Sequence, residues 1–356
     1  KMASLAKGIW SNFSKRSPSL AIKNKKLQEA LLSPNLPHGP ISLKKGSSKR
    51  RYNSPVSMEE IYPLAYKVLE EESAKVYKKI EQIEVRIAGA KSNSDKKGLK
   101  QKRNDLLVEA EKSNPEVVYR SLFASNSVDR TQPVYRHFLE EKWKAYSRML
   151  TMQRLETLGV IPDTMPTLEP EVEVKVMFPC NSLFRTIEPG TILSSNVTFR
   201  PPSFEIIEFK ESKNDLYTVL VVDLDVPDVE NDSYKTELLW ALKDVPASNE
   251  DPIIDAKKLI SHSECELVSY LPSVPEKNTG NHRIAAWIFR QADGKKLTAA
   301  DKAPERERFD IRKFSKDNNL KAIGAHVWRS TWDRNTENVR KMYGLPSGRI
   351  FTRDRN

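Results

Sequence analysis

The side chains able to do chemistry in this sequence are few and scattered. Histidine occurs five times, at His38, His137, His262, His282 and His326, and none sits at a metal-ligand spacing from a cysteine or a carboxylate. Cys180 and Cys265 are far apart and match no metal-binding pattern. They read as two buried thiols in a reducing compartment, not as a disulfide framework. Ser261–His262–Ser263 suggests a nucleophile by composition alone and is better explained as an exposed loop. No Gly-x-Ser-x-Gly, no phosphate-cradling glycine loop and no paired-carboxylate motif is present. The chemistry on offer argues against an enzyme and calls for no cofactor, metal or small-molecule substrate.

What the sequence does offer is cationic side chains suited to phosphate. The net charge is +11. Residues 1–56 hold twelve Lys and Arg against one acid, Glu29. The tail 334–356 holds six against two, so the body between them is slightly acidic. Lys and Arg neutralise phosphates and release counterions, which makes binding strongly salt-dependent. The RNA-binding candidates in the arm are Lys15, Arg16, Lys23, Lys25, Lys26, Lys44, Lys45, Lys49, Arg50 and Arg51; those in the tail are Arg349, Arg353 and Arg355. In the arm they alternate with Pro34, Pro37, Gly39, Pro40 and Gly46, which suits an irregular chain threading between RNA helices.

These candidates are positioned by four regions. Residues 1–56 lack a periodic apolar face and cannot offset the entropy of ordering alone, so they form a basic extended arm. Basic, Ser-rich and acid-poor, the arm also fits a mitochondrial targeting derivative, with any presequence lying upstream of Lys1. Residues 57–165 form a helical region and linker. Ser57 and Glu60 make a capping box, and Ile61, Leu64, Val68, Val76, Tyr77, Ile80 and Ile83 follow helical spacing. Asn114, Pro115 and Glu116 open a helix; another starts near Pro133 and stops at Gly159. Pro162, Pro166 and Pro170 then make a stiff linker.

Residues 166–335 change texture. Val172, Val174, Val176 and Phe178 alternate with polar neighbours as a strand does. Further strands are expected at 193–200, 217–224, 237–242, 266–271 and 283–290, giving an antiparallel β-domain with helices at its end. Residues 336–356 form the basic C-terminal tail. The fold class is α+β. With no run of 18 apolar residues, no transmembrane helix and no membrane insertion are expected.

Five segments of the β-domain appear in an order that resembles the phosphatidylethanolamine-binding protein family. They are GTILSSNVTFRPPSF (190–204), YTVLVVDLDVPD (217–228), ELLWALKDVP (237–246), YLPSVPEKNTGNHRIAAWIFRQ (270–291) and RFDIRKFSKDNNL (308–320). The resemblance implies a small anion pocket lined by Asp223, Asp225, Tyr270, Pro272, His282 and Arg283, with Pro227 and Trp240 nearby. Three departures make that pocket vestigial. Leu224 replaces a usual Pro, Leu239 replaces the pocket His, and Ile284 replaces the Tyr that follows His-Arg. Leucine can neither donate to a phosphate nor carry charge, whereas histidine does both.

A longer likeness runs through residues 133–170 and 323–353, which resemble fungal mitochondrial large-subunit ribosomal proteins carrying this domain. It implies a structural, non-catalytic place in the large mitoribosomal subunit, in the mitochondrial matrix. The expected position is the central protuberance, among rRNA and neighbouring proteins. The alternative is a free phospholipid- or anion-binding, or inhibitory, module of the same family.

Overall fold

The computed structural model describes residues 58–90, 92–180, 183–212, 215–291, 294–297 and 303–352. The basic arm, with Ser57 of the proposed capping box, lies outside them. The chain divides between Leu139 and Glu140 into two compact units.

The first unit is helical. Helices α1 (Met58–Gly89), α2 (Asn93–Glu111) and α3 (Pro115–Phe123) follow one another, and α4 (Pro133–Lys142) begins in it. Val76, Tyr77 and Ile80 of α1 pack on Ala110, Leu106 and Leu107 of α2. Polar groups close the same seam: Ser73 Oγ donates to the Ala110 carbonyl at 2.9 Å, and the Tyr77 hydroxyl donates to Glu111. Asn114 caps α3 by accepting from the Glu116 amide at 3.0 Å, with Pro115 in the first turn. Proline fits there because that N–H has no helical partner in any case.

The second unit opens with a π-turn at Trp143–Ser147 and α5 (Arg148–Thr157). Gly159 ends the helical run at φ 68°, the left-handed conformation that glycine adopts without penalty. The Pro-rich stretch after it is docked, not free. Ile161 before the first proline and Met165 and Leu168 between the prolines pack into a core, and Arg312 donates to the carbonyls of Pro162 and Thr164.

Two sheets follow. The smaller has the order β2 (Leu183–Thr186), β1 (Val172–Cys180), β4 (Ser203–Glu208), β7 (Ile253–Ile254). The larger has the order β3 (Ile192–Leu193), β10 (Lys321–Thr331), β9 (Asn281–Arg290), β5 (Asp215–Asp228), β6 (Ser233–Ala247), β8 (Glu266–Val268). All pairs are antiparallel except β3 with β10. The central strands of the large sheet are buried on both faces, so they read as continuous apolar runs. In β5, Tyr217, Val219 and Val221 face the core shared with the small sheet. Leu220, Val222 and Leu224 join a second core with Leu155, Val160, Leu168 and Ile311. Short helices α6 (Ser195–Thr198), α7 (Ala256–Ser261), α8 (Ile311–Asp317) and α9 (Thr336–Met342) decorate the sheets.

Two sequence expectations are corrected. The run 193–200 is a strand only to Leu193; it then turns into α6, because Asp333 accepts from both the amide and the hydroxyl of Ser195 at 2.8 and 2.6 Å. The strand expected at 266–271 stops at Val268, where the chain leaves toward a proline-rich loop.

Candidate functional site

The end of β5 and the start of β9 lie side by side, with Asp223 opposite Ile284. Successive strand residues point to opposite faces. His282 and Arg283 therefore diverge, and each meets its own aspartate.

His282 Nδ1 lies 3.0 Å from Asp223 Oδ2, and Thr279 Oγ1 lies 3.0 Å from Nε2. Ser273 Oγ donates to the same Asp223 Oδ2 at 3.0 Å, and the Asp225 amide donates to Oδ1 at 3.0 Å. Asp223 and His282 are each 3% exposed. Burial disfavours the charged imidazole, but the carboxylates of Asp223, Asp225 and Glu276 outweigh it and hold His282 above the ordinary histidine range. With both ring nitrogens engaged, this closed ion pair has no spare donor for a phosphate.

Arg283 forms the second pair. Its Nε and Nη2 donate to Asp225 Oδ2 and Oδ1 at 2.8 and 2.7 Å, a two-pronged geometry that only a guanidinium provides. Its Nη1 reaches the Leu158 carbonyl at 2.7 Å and Asp163 at 2.8 Å. The guanidinium thus binds the end of α5 and the following turn to the sheet. Gly159 needs its freedom for φ 68°, and a Cβ there would also press on Nη1 at 3.0 Å.

The remaining family positions are turned to packing. The Tyr270 hydroxyl donates to the Thr198 carbonyl at 2.5 Å, and its ring meets Trp240 edge-on. Burial raises the Tyr270 phenol well above its usual range. Trp240 Nε1 donates to Glu266 at 3.0 Å, and Pro272 is buried. Leu239 and Ile284 sit in the core between the sheets. Sequence reasoning missed Ser273, Thr279 and Asp163; the first two lie in a loop and Asp163 ends the helical turn Val160–Asp163, and nothing in their local pattern ties them to Asp223, His282 or Arg283.

Among the described side chains, Cys265 and Ser261 are engaged; the Cys180 side chain lies outside them. Cys265 is buried beneath Asp244, and burial, then Glu264 and Asp244, push its thiol up to about 11. Ser261 Oγ donates to the Lys257 carbonyl within α7. Of the RNA-binding candidates, Lys15, Arg16, Lys23, Lys25, Lys26, Lys44, Lys45, Lys49, Arg50, Arg51, Arg353 and Arg355 lie outside the described residues. Arg349 lies within them. Its side chain bonds Glu276, and its guanidinium carbon sits 5.5 Å from the Phe351 ring centre.

Residues 182–332, which carry both the Asp–His and the Asp–Arg pair, match the family model of the phosphatidylethanolamine-binding proteins. Over 281 residues the chain is 33% identical to the large ribosomal subunit protein mL38 of Schizosaccharomyces pombe, covering 78% of this chain and 84% of that one. The chain belongs to the mL38 family of large ribosomal subunit proteins. It is also 25% identical over 198 residues to the putative odorant-binding protein A5 of Drosophila melanogaster, covering 54% of this chain and 85% of that one. Among solved structures, carboxypeptidase Y inhibitor complexed with its cognate proteinase aligns at 17% identity and a TM-score of 0.41, over 51% of this chain and 95% of that one.

Proposed function

We propose that the chain is a structural constituent of the large subunit of the mitochondrial ribosome, working in the matrix at the central protuberance and supporting mitochondrial translation without catalysis. The observation that carries this reading is the 33% identity to mL38, which extends beyond the β-domain. The arm, with Lys15 through Arg51, and the tail, with Arg349, Arg353 and Arg355, bind rRNA by charge neutralisation. The helices and the β-domain bind neighbouring proteins. No described helix is long and apolar enough to cross a membrane.

The rival reading is a free anion-binding or inhibitory module. The closed Asp223–His282 pair speaks against it, because a buried anion without donors costs several kcal/mol. Fractionation of mitochondrial lysate on a sucrose gradient tests the proposal. The protein is expected to co-sediment with large ribosomal subunits; a protein that stays in the soluble fractions overturns the assignment.

A further inference from the structure

Four segments of the β-unit interlock at one place. The Tyr343 hydroxyl donates to the Phe199 carbonyl, which ties the segment after α9 to the end of α6. Arg340 on α9 donates to the Val274 carbonyl, and Lys277 pairs with Ile350 in a β-bridge. The segments 195–200, 274–280, 332–342 and 345–351 therefore form one continuous surface.

Its charge is one-sided where it meets solvent. Arg200, Lys277, Arg334, Lys341 and Arg349 are exposed, whereas the acids of the same segments, Glu276, Asp333 and Glu337, are only half exposed. Glu276 is used by Arg349, and Asp333 caps α6 and accepts from Ser195. Among the described residues, Arg200, Lys277, Arg334 and Lys341 have no carboxylate partner within ion-pair distance. Three cations lie over rings on this same surface: Arg200 over Phe199 at 5.1 Å, Lys277 over Trp332 at 5.0 Å and Arg349 over Phe351 at 5.5 Å.

Unpaired cations beside half-exposed rings suit single-stranded RNA. The cations neutralise phosphates, and the rings and guanidinium planes offer stacking faces for unpaired bases. A protein partner would need carboxylates to match four cations, and a lipid surface would make no use of the rings beside Arg200 and Lys277. We propose that this surface is a second RNA-binding site, built on the folded β-unit and separate from the arm, that takes an unpaired loop of RNA. It rests on the ribosomal reading for the identity of that RNA as rRNA, and not for its chemistry.

The test uses the full chain and a fluorescein-labelled stem-loop RNA, titrated by anisotropy over a KCl series. Replacing Arg200, Lys277, Arg334 and Lys341 together by Gln is expected to lower the slope of log affinity against log salt by about three, at roughly 0.7–0.9 per lost phosphate contact. Trp332→Leu is expected to weaken binding roughly tenfold at fixed salt while leaving the slope unchanged. If the fourfold variant misfolds by circular dichroism, Arg334→Gln and Lys341→Gln singly serve instead, each lowering the slope by just under one. Wild-type slope and affinity in these variants overturn the site, since the arm and the remaining tail cations would then account for binding. Gradient sedimentation of the same variants separates the two ideas: a wild-type chain that sediments with large subunits, alongside variants with unchanged RNA slope, sinks this surface only.

Discussion

Arg283 grips Asp225 through two parallel side-chain bonds of 2.8 and 2.7 Å, and its own backbone amide donates to the same carboxylate at 2.8 Å. Its remaining nitrogen holds Leu158 and Asp163, which precede the sheet in sequence. Residues that resemble an anion pocket thus spend their hydrogen-bonding capacity inside the protein. The pair works as a clamp between the last helical turn and the sheet.

That clamp should be measurable. Lysine offers a single charged point in place of the planar fork, so Arg283→Lys is expected to lose about 2 kcal/mol of unfolding free energy. Asp163→Asn should cost less, about 0.5 kcal/mol, because Asp163 is half exposed and water screens it. Urea denaturation of the full chain checks both. Equal stability of Arg283→Lys and wild type would remove the clamp from the account.

Two buried histidines should shape the pH dependence of stability in opposite directions. Burial pushes His326 down from 6.5 to about 4, only partly offset by a hydrogen bond to the Ile187 backbone. Between those values the unfolded chain binds a proton that the folded chain refuses, so stability falls as pH drops, by on the order of 2 kcal/mol at pH 5. His282 is held above 6.5 by Asp223, so its contribution is complete below pH 6.5 and is lost as pH rises through its folded value. Melting temperature measured against pH should therefore fall on both sides. His326→Gln should flatten the acid limb and His282→Gln the alkaline limb. Unchanged limbs in the two variants would contradict these assignments.

Leu239→His restores the histidine that the family pattern expects, and it should not restore a ligand site. Leu239 is 3% exposed within the inter-sheet core, and His282 already has both nitrogens occupied. An imidazole there is expected to cost about 2–3 kcal/mol and to gain no phosphate affinity. Thermal shift with phosphate and with phosphoethanolamine reads this directly. A ligand-dependent rise in melting temperature would mean that the pocket remains usable.

Much of the architecture was legible because its signals are local. Alternation in 172–178 marked β1, and the Asn114–Pro115–Glu116 cap marked α3, since each depends only on near neighbours. Local pattern could not give the pairing of Asp223 with His282, which spans 59 residues and needs Ser273 and Thr279 from a loop with no periodicity; only the family resemblance brought the two to one place. The strand β10 escaped notice as a strand for a related reason. Its burial on both faces removes the alternation that identifies a strand, and a bulge between Ala322 and Gly324 breaks its phase. The turn at Ser195 depends on Asp333, 138 residues away, which no local reading can supply.

Gly324 reports how closely the two sheets approach. A Cβ at this position would lie 2.6 Å from Cγ2 of Val174 and 3.0 Å from Cγ2 of Val172, both on β1. The φ of Gly324 is ordinary, so space alone requires glycine there. Gly324→Ala is expected to cost about 1–3 kcal/mol through overpacking. Val174→Ala alone should cost about 1 kcal/mol by leaving a small void. Combined, the two should cost clearly less than their sum, because the new methyl occupies the volume that the valine vacates. Denaturant unfolding of the two single variants and the double variant closes this cycle. Strictly additive losses would show that the approach of β10 to β1 is not what excludes a side chain at Gly324.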